Sequence, residues 1–285
     1  MSWEKLIQEN KPLVITGTIN AYSALLAERA GIKAIYLSGG GVANASYGLP
    51  DLAMTSREDV LEDVRRIRSA SELPLLVDID TGWGSALSIS RTIKEMISAG
   101  ASGVHIEDQV SEKRCGHRPN KEIVSCEEMV DRIKAAKDAK TDDNFLLMAR
   151  TDAFAKGGLQ EVIDRSNAFI EAGAGAIFPE AISTLKDYEE ISKNVSKPIL
   201  ANITEFGMTP LFSHKDLAGA GVKIVLHPLS AFRAMSKAAE KVYATLASGG
   251  DHEGLLDKMQ TRDELYDVLD YHMYEEKIDK LFEKN

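Results

Sequence analysis

Six consecutive residues, Lys113, Arg114, Cys115, Gly116, His117 and Arg118, set one thiol among cationic and imidazole side chains. Each nearby cation favours the thiolate, so this setting predicts a Cys115 that ionises below the ~8.5 of a free cysteine and acts as an acid or a base. Gly116 removes a side chain beside the sulfur and lets the backbone turn tightly around a ligand. A basic surface turn with an inert cysteine is the plain alternative. A second chemistry-bearing set is acidic: Asp78 and Asp80, two apart in an apolar run, with Glu107 at the end of the next. Residues two apart on a strand share a face, and a bound cation would relieve their repulsion. Hard oxygen ligands of this kind suit Mg2+ or Mn2+, as a metal pair with Glu107 behind it. Ion pairing with Arg150 is the competing explanation.

Positioning such groups requires a scaffold, and eight short apolar runs supply it, at 13–16, 34–38, 75–80, 103–107, 145–150, 176–180, 199–203 and 223–227. They are nearly continuous in apolar residues, as strands buried on both faces must be. Amphipathic helical stretches lie between them. Thr55 with Glu58 and Ser125 with Glu128 have capping-box spacing at helix starts. Gly31, Gly100, Gly173 and Gly221 fall just before the even-numbered runs, where a left-handed helix stop fits. Eight βα units predict an α/β fold, a (β/α)8 TIM-type barrel. A doubly wound sheet is the runner-up, but Gly39, Gly40 and Gly41 lack the spacing of a dinucleotide-binding turn.

In a barrel the chemistry sits at the carboxyl ends of the strands. Those ends carry Ser38, Asp78, Asp80, His105, Glu107, Arg150, Glu180, Asn202, Thr204 and His227. They are expected to converge on one pocket.

The 285 residues fit one barrel domain spanning 1–285, with 250–285 as a C-terminal oligomerisation extension. A helical stretch over 261–282 carries an apolar face of Leu265, Val268, Leu269, His272 and Met273 that needs a partner. With 44% hydrophobic and 27% charged residues the composition is that of an ordinary globular protein. No apolar run has signal or membrane-spanning length, so the expectation is a cytoplasmic protein. Cys115 and Cys126 are too few for a disulfide framework. A net charge of −10 argues against nucleic acid or an anionic membrane as partner. Against that background the basic run around Cys115 points to a small anionic ligand, with a solvated loop balancing its acidic neighbours as the alternative.

The run from Lys113 to Arg118, continued by Pro119, Asn120 and Lys121, resembles the signature of the isocitrate lyase and phosphoenolpyruvate mutase superfamily. Among its members it looks like the lyases that act on 2-methylisocitrate. The resemblance implies cleavage of a carbon–carbon bond in a tricarboxylate substrate, giving an α-keto acid and succinate with Mg2+ as cofactor. It implies that carboxylates matching Asp78 and Asp80 hold the metal, with Asp51 near the metal site. Substrate would rest on Ser38, Gly39, Gly40, Cys115, Gly116, Arg150, Glu180, Asn202, Ile203, Thr204, Arg233 and Arg262. Cys115 would give a proton to the succinate carbanion, with His117 and Arg118 setting its protonation state. Tyr36 matches a tyrosine proposed to move protons; a core aromatic with a satisfied hydroxyl is equally compatible. The C-terminal helix is expected to exchange between subunits of a homo-oligomer, a tetramer built from swapped dimers. Isocitrate lyases share the Cys115 run but are usually longer, and a methyl group changes affinity by only ~1–3 kcal/mol. Phe178 and Leu226 are the expected methyl contacts, and His227 stands where a tyrosine is expected. Related dimethylmalate lyases and oxaloacetate hydrolases, a thiol redox sensor, and a non-catalytic scaffold are the competing readings.

Overall fold

The computed structural model describes residues 2–118, 120–251 and 253–282. Its strands are β1 Leu13–Gly17, β2 Ile35–Leu37, β3 Leu75–Asp78, β4 Gly103–Glu107, β5 Leu146–Thr151, β6 Ala176–Pro179, β7 Leu200–Asn202 and β8 Ile224–His227. Helix α1 (Trp3–Glu9) precedes β1. Between the strands lie α2 (Ala21–Arg29), the short α3 (Gly39–Gly41), α4 (Arg57–Ala70), α5 (Ala86–Ser98), α6 (Cys126–Asp138), α7 (Phe154–Ala172), α8 (Leu185–Asn194) and α9 (His214–Gly219). After β8 come α10 (Ser230–Ala247), α11 (Arg262–Val268) and α12 (Tyr271–Phe282).

All strand pairs are parallel, in the order β6-β5-β4-β3-β2-β1-β8-β7. The ring closes where Ile177 pairs in parallel with Ile199 and its N–H donates to the Pro198 carbonyl at 2.9 Å. This is the (β/α)8 TIM-type barrel expected from the eight apolar runs. The glycines before the even strands take positive φ, from 86° at Gly31 to 120° at Gly173, as helix stops require. Two expected helix starts differ. Ser56 caps α4 and closes a box with Asp59, one residue beyond the Thr55–Glu58 pair. Ser125 does accept from the Glu128 N–H, but the Glu128 carboxylate turns to Arg132 instead of closing a box.

Strand alternation divides the apolar residues into two layers. Leu13, Ile15, Tyr36, Leu76, Met148, Phe178, Leu200 and Leu226 fill the barrel interior, while Ile35, Val77, Val104, Leu147, Ile177 and Val225 pack outward against the helices. Trp3 of α1 joins the interior cluster and donates its indole N–H to the Ser102 carbonyl at 2.8 Å, just before β4. One end of the barrel is thus plugged by apolar side chains, which leaves the strands' carboxyl ends for polar ones.

The chain divides into two compact units, Met1–Phe232 and Arg233–Asn285. In the second, the stretch expected as one helix over 261–282 is two, α11 and α12, broken where Asp270 takes a φ of 51°. Its Leu265, Leu269, Met273, Ile278, Leu281 and Phe282 remain exposed. Among the described residues no helix is long and apolar enough to cross a membrane.

Candidate active site

Beyond the interior apolar layer, the same inward alternation brings Asp78, Glu107, Arg150, Glu180 and Asn202 to the carboxyl-terminal mouth, all buried. Arg150 is the hub. Its Nε lies 3.2 Å from Glu107 Oε2 and 3.0 Å from Asp152 Oδ2, and its Nη2 lies 3.3 Å from Glu180 Oε2. Burial opposes its charge, yet Asp152, Glu107 and Glu180 outweigh that and hold its pKa well above the usual value. Burial also pushes Glu107 well up, against the pull of Arg150 and Lys113. The ion pairing of Arg150 with acids, weighed as an alternative to metal binding, therefore exists. It takes Glu107, Asp152 and Glu180 and leaves Asp78 and Asp80 to a separate cluster.

In that cluster Asp78 Oδ2 accepts from the Gly39 N–H at 3.1 Å and Asp78 Oδ1 from the Asp80 N–H at 3.0 Å. Asp80 lies past the end of β3 with a φ of 48°, so the chain turns to bring it alongside Asp78. Burial opposes the Asp78 carboxylate, but His105, Lys113 and Arg150 hold it below the ordinary range. Burial and the neighbouring Asp78 push Asp80 up to about 6, against Lys113. The Lys113 ammonium bridges Asp80 at 2.5 Å and Asp51 at 2.8 Å.

A Cβ built on Gly39 would lie 3.1 Å from Asp80 Oδ1 and 3.2 Å from Asp78 Oδ2, so any side chain here would crowd both carboxylates. Among the described residues no three His, Cys, Asp or Glu side chains converge as a complete ligand set. Two carboxylates with the remaining positions left to water and substrate is how Mg2+ is usually held, so these residues fit it. Charge points the same way. Carboxylates of Asp51, Asp78, Asp80, Glu107, Asp152 and Glu180 outnumber the cations Lys113, Lys121 and Arg150.

Cys115 is a free thiol, half-buried, on the segment between β4 and α6. Its expected thiolate character is overturned. Burial raises its pKa above the ordinary value, and the His117 backbone N–H and Arg150 offset this only in part. The cations of the run are engaged elsewhere: Lys113 with Asp51 and Asp80, while Arg114 and Arg118 are exposed. Gly116 is buried hard against the hub, since a Cβ there would fall 2.4 Å from Glu180 Oε2 and 2.5 Å from Arg150 Nη2. His117 Nδ1 accepts from the Met208 N–H at 3.0 Å, which leaves Nε2 to carry the proton and face Glu180 Oε1 at 3.3 Å. The imidazole therefore meets Glu180, and it is the His117 backbone that meets the thiol. A cleft of about 750 Å3, bordered by Asp51, Lys113, Cys115 and Arg118, opens beside the sulfur.

The remaining expected site residues divide. Ser38 caps α3, accepting from the Gly41 N–H, and Gly40 packs against Asp51, whose Oδ2 would lie 3.0 Å from a Cβ there. Asn202 Nδ2 is 3.3 Å from both Glu180 oxygens, while its buried Oδ1 has no hydrogen-bond partner among the described residues. Ile203 and Thr204 follow it, buried. Tyr36 lies beneath Asp78, its hydroxyl 2.8 Å from His105 Nε2 and 3.5 Å from Asp78 Oδ2, and burial raises its pKa well above the usual value. Burial lowers His105 to about 4, so that imidazole is neutral. Phe178 and Leu226, expected at a substrate methyl group, are 1% and 0% exposed in the barrel interior, and Phe178 lies under the Arg150 guanidinium at 5.1 Å. His227 instead pairs with His214, Nε2 to Nε2 at 2.9 Å. Arg233 and Arg262 belong to the second unit, and Pro119 lies outside the described residues. Sequence reasoning missed Lys113 as an acid-cluster partner and Lys121 as the partner of Asp152; both stood in the basic run and were taken there only as local charge.

Residues 3–247 match the family model described as phosphoenolpyruvate phosphomutase. A 2-methylisocitrate lyase of Vibrio cholerae is 60% identical, covering 97% of this chain and 92% of its own, and one of Escherichia coli is 59% identical, covering 98% and 95%. Among solved structures, a phosphoenolpyruvate phosphomutase of Streptomyces platensis superposes with a TM-score of 0.90 at 28% identity over 99% of this chain and 98% of that one. A 2,3-dimethylmalate lyase does so at 0.87 and 30% identity over 97% and 93%. The barrel, the polar mouth and these matches agree: the chain belongs to the phosphoenolpyruvate phosphomutase family, within the isocitrate lyase and phosphoenolpyruvate mutase superfamily.

Proposed function

We propose that this protein is a Mg2+-dependent carbon–carbon lyase that cleaves 2-methylisocitrate to pyruvate and succinate. The observation that carries the reading is a free, half-buried Cys115 set beside Gly116, whose backbone rests on the Arg150–Glu180 pair, with Asp78 and Asp80 on the neighbouring strand end. The identity to named 2-methylisocitrate lyases supports the substrate.

The excess of carboxylates would repel a tricarboxylate, so anionic substrate and a divalent cation are expected to enter together. When bound at Asp78 and Asp80, Mg2+ (or Mn2+) would polarise the substrate hydroxyl and an adjacent carboxylate. The chain's own residues do the rest. Arg150, fixed by three carboxylates, presents a buried cation to the charge that builds as the carbon–carbon bond breaks. Asn202 offers an unsatisfied amide oxygen to a substrate hydroxyl or to a water. Cys115 holds its proton at neutral pH and delivers it from Sγ to the carbon that becomes a CH2 of succinate. His117 positions Glu180, and its own N–H steadies the sulfur once the proton has left. The Cys115 segment lying over the mouth excludes water, which would otherwise protonate the carbanion without control. The roles of Arg118, Tyr36, Arg233 and Arg262 rest on the resemblance alone.

The same reading places the protein in propionate breakdown through the methylcitrate cycle, in the cytoplasm. It is read as a homotetramer made of swapped dimers, without nucleic acid or membrane partners. Exposed apolar side chains of the second unit support self-association.

The test is keto acid release from 2-methylisocitrate and from isocitrate, side by side, with and without Mg2+. Metal-dependent pyruvate far exceeding glyoxylate is expected. The opposite preference would make it an isocitrate lyase, and no product from either would move the assignment to the dimethylmalate lyases or oxaloacetate hydrolases.

A further inference from the structure

We propose that Lys121 is a positioning residue that clamps the Cys115 segment against the barrel through the Gly116 carbonyl. The inference rests on the lyase reading for its kinetic consequence, but its geometry stands without it.

The segment leaves and returns through a paired stem. Gln109 bridges Ile123 antiparallel, the Val110 N–H donates to the Glu122 carbonyl at 3.0 Å, and the Val124 N–H to the Asp108 carbonyl at 2.8 Å. The described residues between Val110 and Glu122 are therefore an excursion from a fixed base, and the thiol sits within it. Such an excursion has no core of its own, so its position depends on the polar attachments it makes. On one flank these are Lys113 with Asp51 and Asp80, and the Gln109 amide, which exchanges two hydrogen bonds with the Arg114 backbone at 2.9 and 3.0 Å.

On the other flank His117 meets the Met208 N–H and Glu180 through its side chain, and Lys121 is the attachment that reaches the segment's backbone. Asn120 takes a φ of 60°, a left-handed turn that asparagine tolerates, just before the lysine. Only 6% of Lys121 is exposed, and its ammonium donates to the Gly116 carbonyl at 2.5 Å and to Asp152 Oδ1. Asp152 is in turn rooted in the barrel. Its N–H donates to Asp108 Oδ1 at 2.9 Å and its Oδ2 accepts from Arg150 Nε at 3.0 Å. Asp108 is held by the Thr151 hydroxyl at 2.7 Å and by Arg165 of α7 at 3.2 Å. A continuous path thus runs from α7 and β5 through a buried ion pair to the peptide that follows Cys115.

Burying a lysine is costly, and an ammonium shared between a carboxylate and one carbonyl is justified only if both are fixed where it sits. Lys121 touches no group proposed to react. Its removal leaves the Gly116 carbonyl without this donor and Asp152 with one cation fewer, while the Lys113 flank is untouched. The consequence is a thiol that samples open positions rather than a changed thiol.

The experiment uses the full-length protein with Lys121→Met, which keeps the length and loses charge and donors. Iodoacetamide modification of Cys115 and Cys126 is followed separately by peptide mass, with Cys126 as the reference in the same molecule. Cys115 is expected to react at least tenfold faster in the variant with Cys126 unchanged. The kcat should fall on the order of 10²-fold with KM moving far less, as loss of alignment predicts. Unchanged Cys115 reactivity and kcat would overturn the proposal. Equal acceleration of both cysteines would also overturn it, since that is general loosening. If Lys121→Met does not fold, Lys121→Gln, which loses the charge but keeps an N–H donor group, carries the same comparison with a smaller expected split. The alkylation arm needs no substrate, so absence of keto acid from the wild type would refute the lyase reading and leave the clamp to be judged by the cysteine ratio.

Discussion

Replacing Gly116 by alanine adds one methyl group where there is no room for it. The new Cβ would meet Glu180 Oε2 at 2.4 Å, Arg150 Nη2 at 2.5 Å and Glu180 Cδ at 2.6 Å. An ordinary contact to carbon needs about 3.5 Å, so something must retreat by roughly 1 Å. Neither partner is a free side-chain end. Arg150 is tied to Glu107, Asp152 and Glu180, while the Glu180 carboxylate accepts from the Ala181 N–H at 2.9 Å and faces His117. The backbone of Gly116 is itself held by Lys121. The displacement must therefore go into the Cys115 segment or into the Arg150 hub, and both are proposed to meet substrate. A shift of about 1 Å costs on the order of 10²-fold in turnover, equivalent to about 2.7 kcal/mol of barrier. Fold stability should change by no more than the ~1–3 kcal/mol of an overpacked site. Steady-state kcat and KM of Gly116→Ala, together with its thermal midpoint, measure both. A variant within twofold of wild-type kcat would refute the reasoning, because it would show that Gly116 does not rest on the hub during turnover.

Two further outcomes follow from charge and from exposed surface. Asp80 keeps its proton up to about pH 6 when folded, against a value of 3.8 in the free side chain. The folded state therefore binds more protons across that window, and this group's contribution to stability is lost as pH rises through it. Mg2+ should raise the thermal midpoint above pH 6 and do so much less near pH 5, where protons compete for Asp80; equal stabilisation at both would contradict this. In α12, Ile278 and Leu281 are three apart and both exposed, so they share a helix face. Ile278→Asp with Leu281→Asp should lower the mass measured by sedimentation, and an unchanged mass would contradict a role for this face in assembly.

The architecture was legible because burial on both faces writes itself into sequence as short, unbroken apolar runs. All eight became strands, and Gly31, Gly100, Gly173 and Gly221 marked their approaches through a backbone requirement that no longer side chain meets easily. The rim residues were legible for the same reason, since period two continues past the apolar layer to Asp78, Glu107, Arg150, Glu180 and Asn202. What could not be read was who pairs with whom across distant strands. Lys113 and Lys121 looked like local charges around a thiol. Their true partners, Asp51, Asp80 and Asp152, follow β2, β3 and β5, and meet them only once those strands line up beside β4. Once those cations are engaged, desolvation governs Cys115, and its pKa moves opposite to the direction that sequence neighbours suggest.

The most direct measurement is Mg2+-dependent pyruvate release from 2-methylisocitrate by the wild type and by Cys115→Ser in one assay, with substrate binding followed by calorimetry. Pyruvate from the wild type, turnover lower by at least 10³-fold in the variant, and binding of the substrate by both within a few fold are expected. Comparable pyruvate from Cys115→Ser, or none from either protein, would contradict the assignment of Cys115 as the acid of a carbon–carbon lyase.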